Sequence, residues 1–251
     1  GDVEGDGDLD LAVGNYQGKS EVYLNSGTAL ATTPAWTSSN SLSTHSVAWG
    51  DVDGDGDLDL AVGNYNGNNE VYLNSGTALA TTPAWTSSNS LNTRSVVWGD
   101  VDGDGDLDAI TGGYSGLNIL EGGYSGASRD YDEPKVTASS SVGRIVWFEN
   151  AGHPTTEWTR HDISRRVRGM YDAFTATDMD GDGDLDLVTT RGNSGKYDGV
   201  IWLEQVRSAD PRPAFTPAHE RESRALPLPP QNWSDNYETE MTLIAPNKAG
   251  H

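Results

Sequence analysis

The chain has 251 residues, with 38 acidic and 16 basic side chains, a net charge of −22, 30 glycines and no cysteine. The absence of thiols excludes a disulfide scaffold, a thiolate zinc site, an iron–sulfur cluster and a cysteine nucleophile, and no apolar run approaches the ~18 residues that span a bilayer. No basic N-terminal segment leads into an apolar stretch as a signal peptide requires, and the negative charge argues against nucleic acid as a partner.

The first element is an acidic loop in which Asp2, Glu4, Asp6, Asp8 and Asp10 alternate with Val3, Gly5, Gly7 and Leu9. The pattern returns at Asp51, Asp53, Asp55, Asp57 and Asp59, at Asp100, Asp102, Asp104, Asp106 and Asp108, and at Asp178, Asp180, Asp182, Asp184 and Asp186. These four loops carry 20 of the 38 acids, so the rest of the chain is close to neutral. Carboxylates this dense repel one another, and a cation is expected among them. Residues 2–50 and 51–99 differ at seven of 49 positions, which marks a duplicated repeat.

The second repeat reads as four strands. Ser46–Gly50 is strand A, and the acidic loop follows it. Leu58–Gly63 alternates as strand B. Asn66-Gly67 signals a hairpin. Glu70–Asn74 is strand C, and Ala84–Ser88 is strand D. No helical period of ten residues appears, and four short strands per repeat predict a propeller blade whose faces neighbouring blades must cover.

From the third loop to the fourth is 78 residues. Val136–Ser139 and Arg144–Asn150 match Val188–Arg191 and Val200–Gln205, with Arg129–Pro134 in place of an acidic loop. The preferred reading is a shortened third repeat followed by a worn repeat without metal; an insertion inside one long repeat is the alternative. Residues 1–206 are read as the propeller blades. Residues 207–251, with six prolines between Pro211 and Pro230, are read as a proline-rich tail or linker. Trp233, Tyr237 and Met241 there either dock on the propeller or begin another module.

In each loop, oxygens at positions 1, 3 and 5 can converge on a cation. Glycine at position 6 permits the turn, position 7 offers its carbonyl, and position 9 adds a carboxylate. All-oxygen donors select calcium and argue against zinc or copper. An EF-hand is excluded, because position 12 is Val13 or Val62 rather than glutamate and strands flank the loop. The stretch Asp51–Gly63, its copies and Ile145–Asn150 resemble FG-GAP/VCBS repeats, the calcium-binding blades of integrin-α-like β-propellers. The resemblance spans about residues 1–206. It implies an all-β propeller of four-stranded blades, with four to five blades here, in a family of six- to eight-bladed rings. The chain is then either a fragment of a larger propeller or closes its ring with a late strand. The resemblance also implies about four structural Ca2+ sites, on the 20 acidic residues named above, with Asp57 contributing its main chain. Glu4 departs from the pattern, and its longer arm is expected to weaken or reshape the first site.

Most differences between the first two repeats fall at the blade end away from the acidic loops. Exposed-tip drift explains that, as does ligand recognition. The candidate contacts are Tyr16, Lys19, His45, Tyr65, Asn68, Arg94, Arg191, Lys196 and Tyr197, a set suited to glycans or acidic saccharides. Trp36, Trp85 and Trp158 recur in similar settings and are expected to pack between blades. The cluster of Arg160, His161, Arg165, Arg166 and Arg168 reads as a solvated basic loop. No nucleophile elbow, phosphate loop or His-Glu-x-x-His is present, so no catalytic residue is assigned. The leading reading is a secreted, extracellular or cell-surface, bacterial calcium-binding module for adhesion to glycans or a protein partner. The alternatives are a polysaccharide lyase or other sugar-active propeller, and an architectural domain of a larger surface protein.

Overall fold

The computed structural model describes residues 1–76, 78–88, 91–114, 145–155, 157–164, 172–191, 199–207 and 237–242. These residues form fifteen strands and no helix; none of them can therefore cross a membrane as a long apolar helix. The chain divides into two compact bodies, residues 1–111 with 147–161, and residues 112–146 with 162–251.

The first body begins with the acidic loop and a three-stranded antiparallel sheet. Its strands are β1 (Leu11–Val13), β2 (Glu21–Tyr23) and β3 (Trp36–Thr37). The second repeat is a full blade of β4 (Ser43–Gly50), β5 (Asp59–Gly67), β6 (Glu70–Tyr72) and β7 (Trp85–Thr86), each antiparallel to the next. Strands A and B are longer than the sequence suggests. Asn66 adopts a left-handed φ of 56° within β5 rather than closing a two-residue hairpin. The chain turns instead at Asn68 and Asn69, where Asn64 donates its main-chain N–H to Asn69 Oδ1 and its Nδ2 to the Asn68 carbonyl, at 3.0 and 2.7 Å.

The third repeat runs β8 (Leu91–Gly99), β9 (Asp108–Tyr114), β10 (Ile145–Glu149) and β11 (Thr159–Ser164), hydrogen-bonded in that order. Its β8 joins the second blade through Tyr65↔Asn92 and Gly67↔Leu91. This order corrects the preferred sequence reading. Ile145–Asn150 is not part of a worn repeat but strand C of the third repeat, tied back to its acidic loop by a bond from the Asn150 N–H to Asp108. The insertion alternative holds, with residues 115–144 between strands B and C. The proposed loop replacement at Arg129–Pro134, and Val136–Ser139, lie outside the described residues.

The second body holds the fourth acidic loop and an antiparallel sheet. Its strands are β12 (Phe174–Thr177), β13 (Asp186–Arg191), β14 (Gly199–Arg207) and β15 (Tyr237–Thr242). Within the segment read as a tail or linker, Tyr237–Thr242 thus pairs with β14; the prolines before it lie outside the described residues.

The core of the first body forms between repeats. Val3, Val22 and Trp36 of the first repeat pack with Leu60, Val62, Tyr72 and Leu79 of the second. Trp36 meets Tyr72 edge-on, with centroids 5.0 Å apart, and donates its indole N–H to the Ala80 carbonyl. Trp85 stacks on Trp158 at 4.6 Å and meets Phe148 edge-on at 5.1 Å. All three recurring tryptophans are buried. Neighbouring repeats thus cover one another's apolar faces, as a blade too small to hold its own core requires.

Candidate metal centre

The second, third and fourth acidic loops each sit between strands A and B of their repeats, and the first precedes β1. Gly54 and Gly56 take φ of 72° and 94°, a left-handed bend that brings alternate side chains back toward one point. Asp51 Oδ2 accepts the Gly56 N–H at 2.9 Å, Asp53 Oδ1 the Asp55 N–H at 3.4 Å, and Asp55 Oδ1 the Asp57 N–H at 2.9 Å. The third and fourth loops repeat these bonds through Asp100, Asp102 and Asp104 and through Asp178, Asp180 and Asp182.

Three loops gather carboxylates at positions 1, 3 and 9: Asp51, Asp53 and Asp59; Asp100, Asp102 and Asp108; and Asp178, Asp180 and Asp186. One oxygen from each member of a group lies within 4.8 Å of the others. Oxygens bound to one calcium at about 2.4 Å can be no more than about twice that distance apart, so the spacing fits a shared cation. Asp51 Oδ1 is buried without a hydrogen-bond partner, an acceptor that a cation would satisfy. Burial raises Asp59 to about 6, against the opposing effect of its two main-chain hydrogen bonds. It raises Asp102 to about 6 and Asp108 to about 8 in the same way, helped by neighbouring carboxylates. The groups therefore hold more negative charge than the fold alone accommodates, which suits a divalent ion.

The first loop differs. Among the described residues, Asp2, Glu4 and Asp10 do not form such a group. The carboxyl of Glu4 is raised by burial, then by the charges of Asp10 and Asp6, and it shares a hydrogen bond with Asp10. The extra methylene carries Glu4 to Asp10, while Asp2 accepts the N–H groups of Asp6 and Gly7. The position-5 carboxylates Asp6, Asp55, Asp104 and Asp182 cap the turn. At position 7 of the first three loops, Asp8, Asp57 and Asp106 lie against Gly27, Gly76 and Gly152. A Cβ on Gly76 would come within 2.8 Å of Asp57 Oδ2, and its φ is 78°. Asp184, at position 7 of the fourth loop, is buried.

The position-9 aspartates have a second task. Asp10 accepts the main-chain N–H groups of Val3 and Asn25, both at 2.8 Å. Asp59 accepts those of Val52 and Asn74, Asp108 those of Val101 and Asn150, and Asp186 those of Met179 and Gln205, all within 3.0 Å. Each buried carboxylate thus pins its loop to the end of strand C. Sequence reasoning missed Asn25, Asn74, Asn150 and Gln205. The signal was an Asn-x-Gly triplet following strand C in three repeats.

At the far end of the strands of the first body, the structure brings together four of the predicted ligand contacts. His45 lies between Tyr16, at 6.1 Å, and Tyr65, at 5.3 Å. The Arg94 guanidinium sits 5.1 Å from the Tyr65 ring centroid, and its Nη1 lies 3.2 Å from His45 Nδ1. Burial and then the Arg94 charge hold His45 below the usual histidine range. Lys19 and Asn68 occupy the neighbouring turns and lend carbonyls to Asn15 and Asn64. Arg191 ends β13; its side chain, Lys196 and Tyr197 lie outside the described residues, as do Arg165, Arg166 and Arg168. His161 is not in a solvated loop: it lies in β11, stacked on Trp147 at 4.4 Å and 2.6 Å from Glu149.

Residues 2–62 and 51–111 each match the FG-GAP-like repeat family, overlapping across the second acidic loop. No curated protein matches the chain.

Proposed function

We propose, from the premise that this chain is an FG-GAP-like repeat protein, that it is an extracellular β-propeller binding module, stiffened by calcium and directed at acidic glycans. The donors at positions 1, 3 and 9 are all hard carboxylates, and calcium is the divalent ion that such loops hold best where it is plentiful, outside the cell. Asp51, Asp53 and Asp59, with their counterparts in the third and fourth loops, hold the ion. The position-5 carboxylates and position-7 carbonyls complete its shell. The ion's role is structural: it neutralises the loop and locks strand A to strand B.

One observation carries the ligand half of the reading. The row Tyr16, His45, Tyr65 and Arg94 lies about six residues along β5 from Asp59, or ~20 Å at strand rise. Aromatic faces suit the apolar side of a sugar ring, and a guanidinium suits its carboxylate. The row places a guanidinium cation and aromatic rings together in a protein of net charge −22. A double variant Tyr65→Ala/Arg94→Ala, assayed by calorimetry against alginate and pectate, is expected to lose about tenfold or more in affinity while retaining its calcium sites. Unchanged affinity, or no acidic glycan bound by the parent protein, removes this assignment. Depolymerisation of either polymer would favour the lyase reading, for which His45, Tyr65 and Arg94 are the adjacent candidates.

A further inference from the structure

Asn74 and Asn150 each serve two acidic loops at once. The main-chain N–H of Asn74 holds Asp59 of the second loop, while its Nδ2 reaches the Val3 carbonyl of the first loop at 2.8 Å, across 71 residues of sequence. Asn150 does the same one repeat later. Its N–H holds Asp108 of the third loop, and its Nδ2 reaches the Val52 carbonyl of the second loop at 3.1 Å, across 98 residues. Both amides also donate within their own repeat, to Leu58 and Leu107 carbonyls at 3.3 Å. Each Nδ2 faces two carbonyl oxygens, so only the NH2 end of the amide fits there. Both asparagines are buried, and their Oδ1 atoms have no hydrogen-bond partner.

The receiving peptides close the path. The N–H of Val52 goes to Asp59 and that of Val3 to Asp10, both at 2.8 Å. A hydrogen-bonded line therefore runs Asp108, Asn150, Val52, Asp59, Asn74, Val3, Asp10 through three successive loops. The valine at position 2 stands between the carboxylates of positions 1 and 3. An ion that draws those carboxylates inward fixes the valine peptide, and the fixed carbonyl holds the asparagine that orients the next loop's aspartate.

We propose that Asn150 is a positioning residue that couples the second and third loops, so that filling one with calcium raises the affinity of the other, while Asn74 ties the second loop to the first, which gathers no such carboxylate group. The inference rests on the calcium assignment above. The physical basis is shared ordering: a loop whose carbonyl is already held by a settled neighbour loses less conformational freedom when its own ion arrives.

The test is a double-mutant cycle by calcium titration calorimetry on the whole chain, with hydrogen exchange read at Val52 and Val101. Asp51→Asn/Asp53→Asn, which disables the second loop, is expected to weaken calcium binding at the third by about fivefold or more. In an Asn150→Ala background the same loop change is expected to leave the third loop unaffected. Calcium should also slow exchange at Val101 less when the second loop is disabled, unless Asn150 has been removed. Equal third-loop affinity with and without a working second loop overturns the coupling while leaving the calcium assignment standing. Absence of calcium binding in the parent chain overturns both. Should Asn150→Ala lose its sheet spectrum, the loop variant in the parent background decides alone.

Discussion

At the scale of single residues, the aspartate at position 9 combines two demands that pull its charge in opposite directions. Burial disfavours the carboxylate, and two main-chain N–H groups favour it. Burial wins at Asp59 and Asp108, which stand at about 6 and about 8. A carboxyl raised in the folded state stabilises the fold when protonated, fully below its unfolded value of about 4, and that contribution is lost as pH rises through the folded value. Metal-stripped protein is therefore expected to melt at progressively lower temperature as pH rises from about 4 to 8, whereas the increase in melting temperature on adding calcium should grow over the same range as protons cease to compete. Differential scanning calorimetry with and without chelator reads both trends; a chelated protein whose melting temperature rises with pH would contradict the assignment. The gathering of acidic side chains in these loops was legible from their alternate spacing, but not that positions 1, 3 and 9 come together while position 5 caps the turn, which depends on how the glycine bend folds each loop. The divergence of the first loop was legible as the Glu4 substitution, but its form was not: the reach of one methylene to Asp10 depends on where the chain folds.

At the scale of elements, the alternation of Leu58–Gly63 and the recurrence of tryptophan announced strands and their packing, because both are local patterns with a single outcome. Trp85 shows why. It belongs to a two-residue strand, yet it lies among Phe148 and Trp158 of the next repeat and is 6% exposed. Trp85→Ala should destabilise the protein by about 3–5 kcal/mol, read from the denaturant midpoint in saturating calcium; a shift under 1 kcal/mol would place that ring outside the core. The assignment of Ile145–Asn150 could not be made from sequence. Its resemblance to strand C of the fourth repeat was real, but thirty residues separate it from strand B, and only the pairing with β9 and the bond to Asp108 show which loop it serves. Asn66-Gly67 misled for a related reason: β5 continues past the expected turn to meet β8, so a tertiary partner overrode a local hairpin preference.

At the scale of the whole molecule, the net charge of −22 is concentrated rather than spread. Calcium at about 100 times Kd stabilises by about 2.7 kcal/mol for each site that the unfolded chain does not bind. Melting temperature is accordingly expected to rise by several degrees with calcium, less with magnesium, which demands tighter octahedral geometry, and to fall back with EGTA. Indifference to all three, with no ion found by elemental analysis, would end the calcium account. The two leading repeats carry a different consequence. They differ at seven of 49 positions, and they meet their neighbours in like ways, Trp36 packing on Tyr72 of the second repeat as Trp85 packs on Phe148 of the third. Such twins are interchangeable parts. During refolding at high concentration, one molecule's first repeat can dock where another's second belongs, and the result is a strand-swapped oligomer built from native contacts.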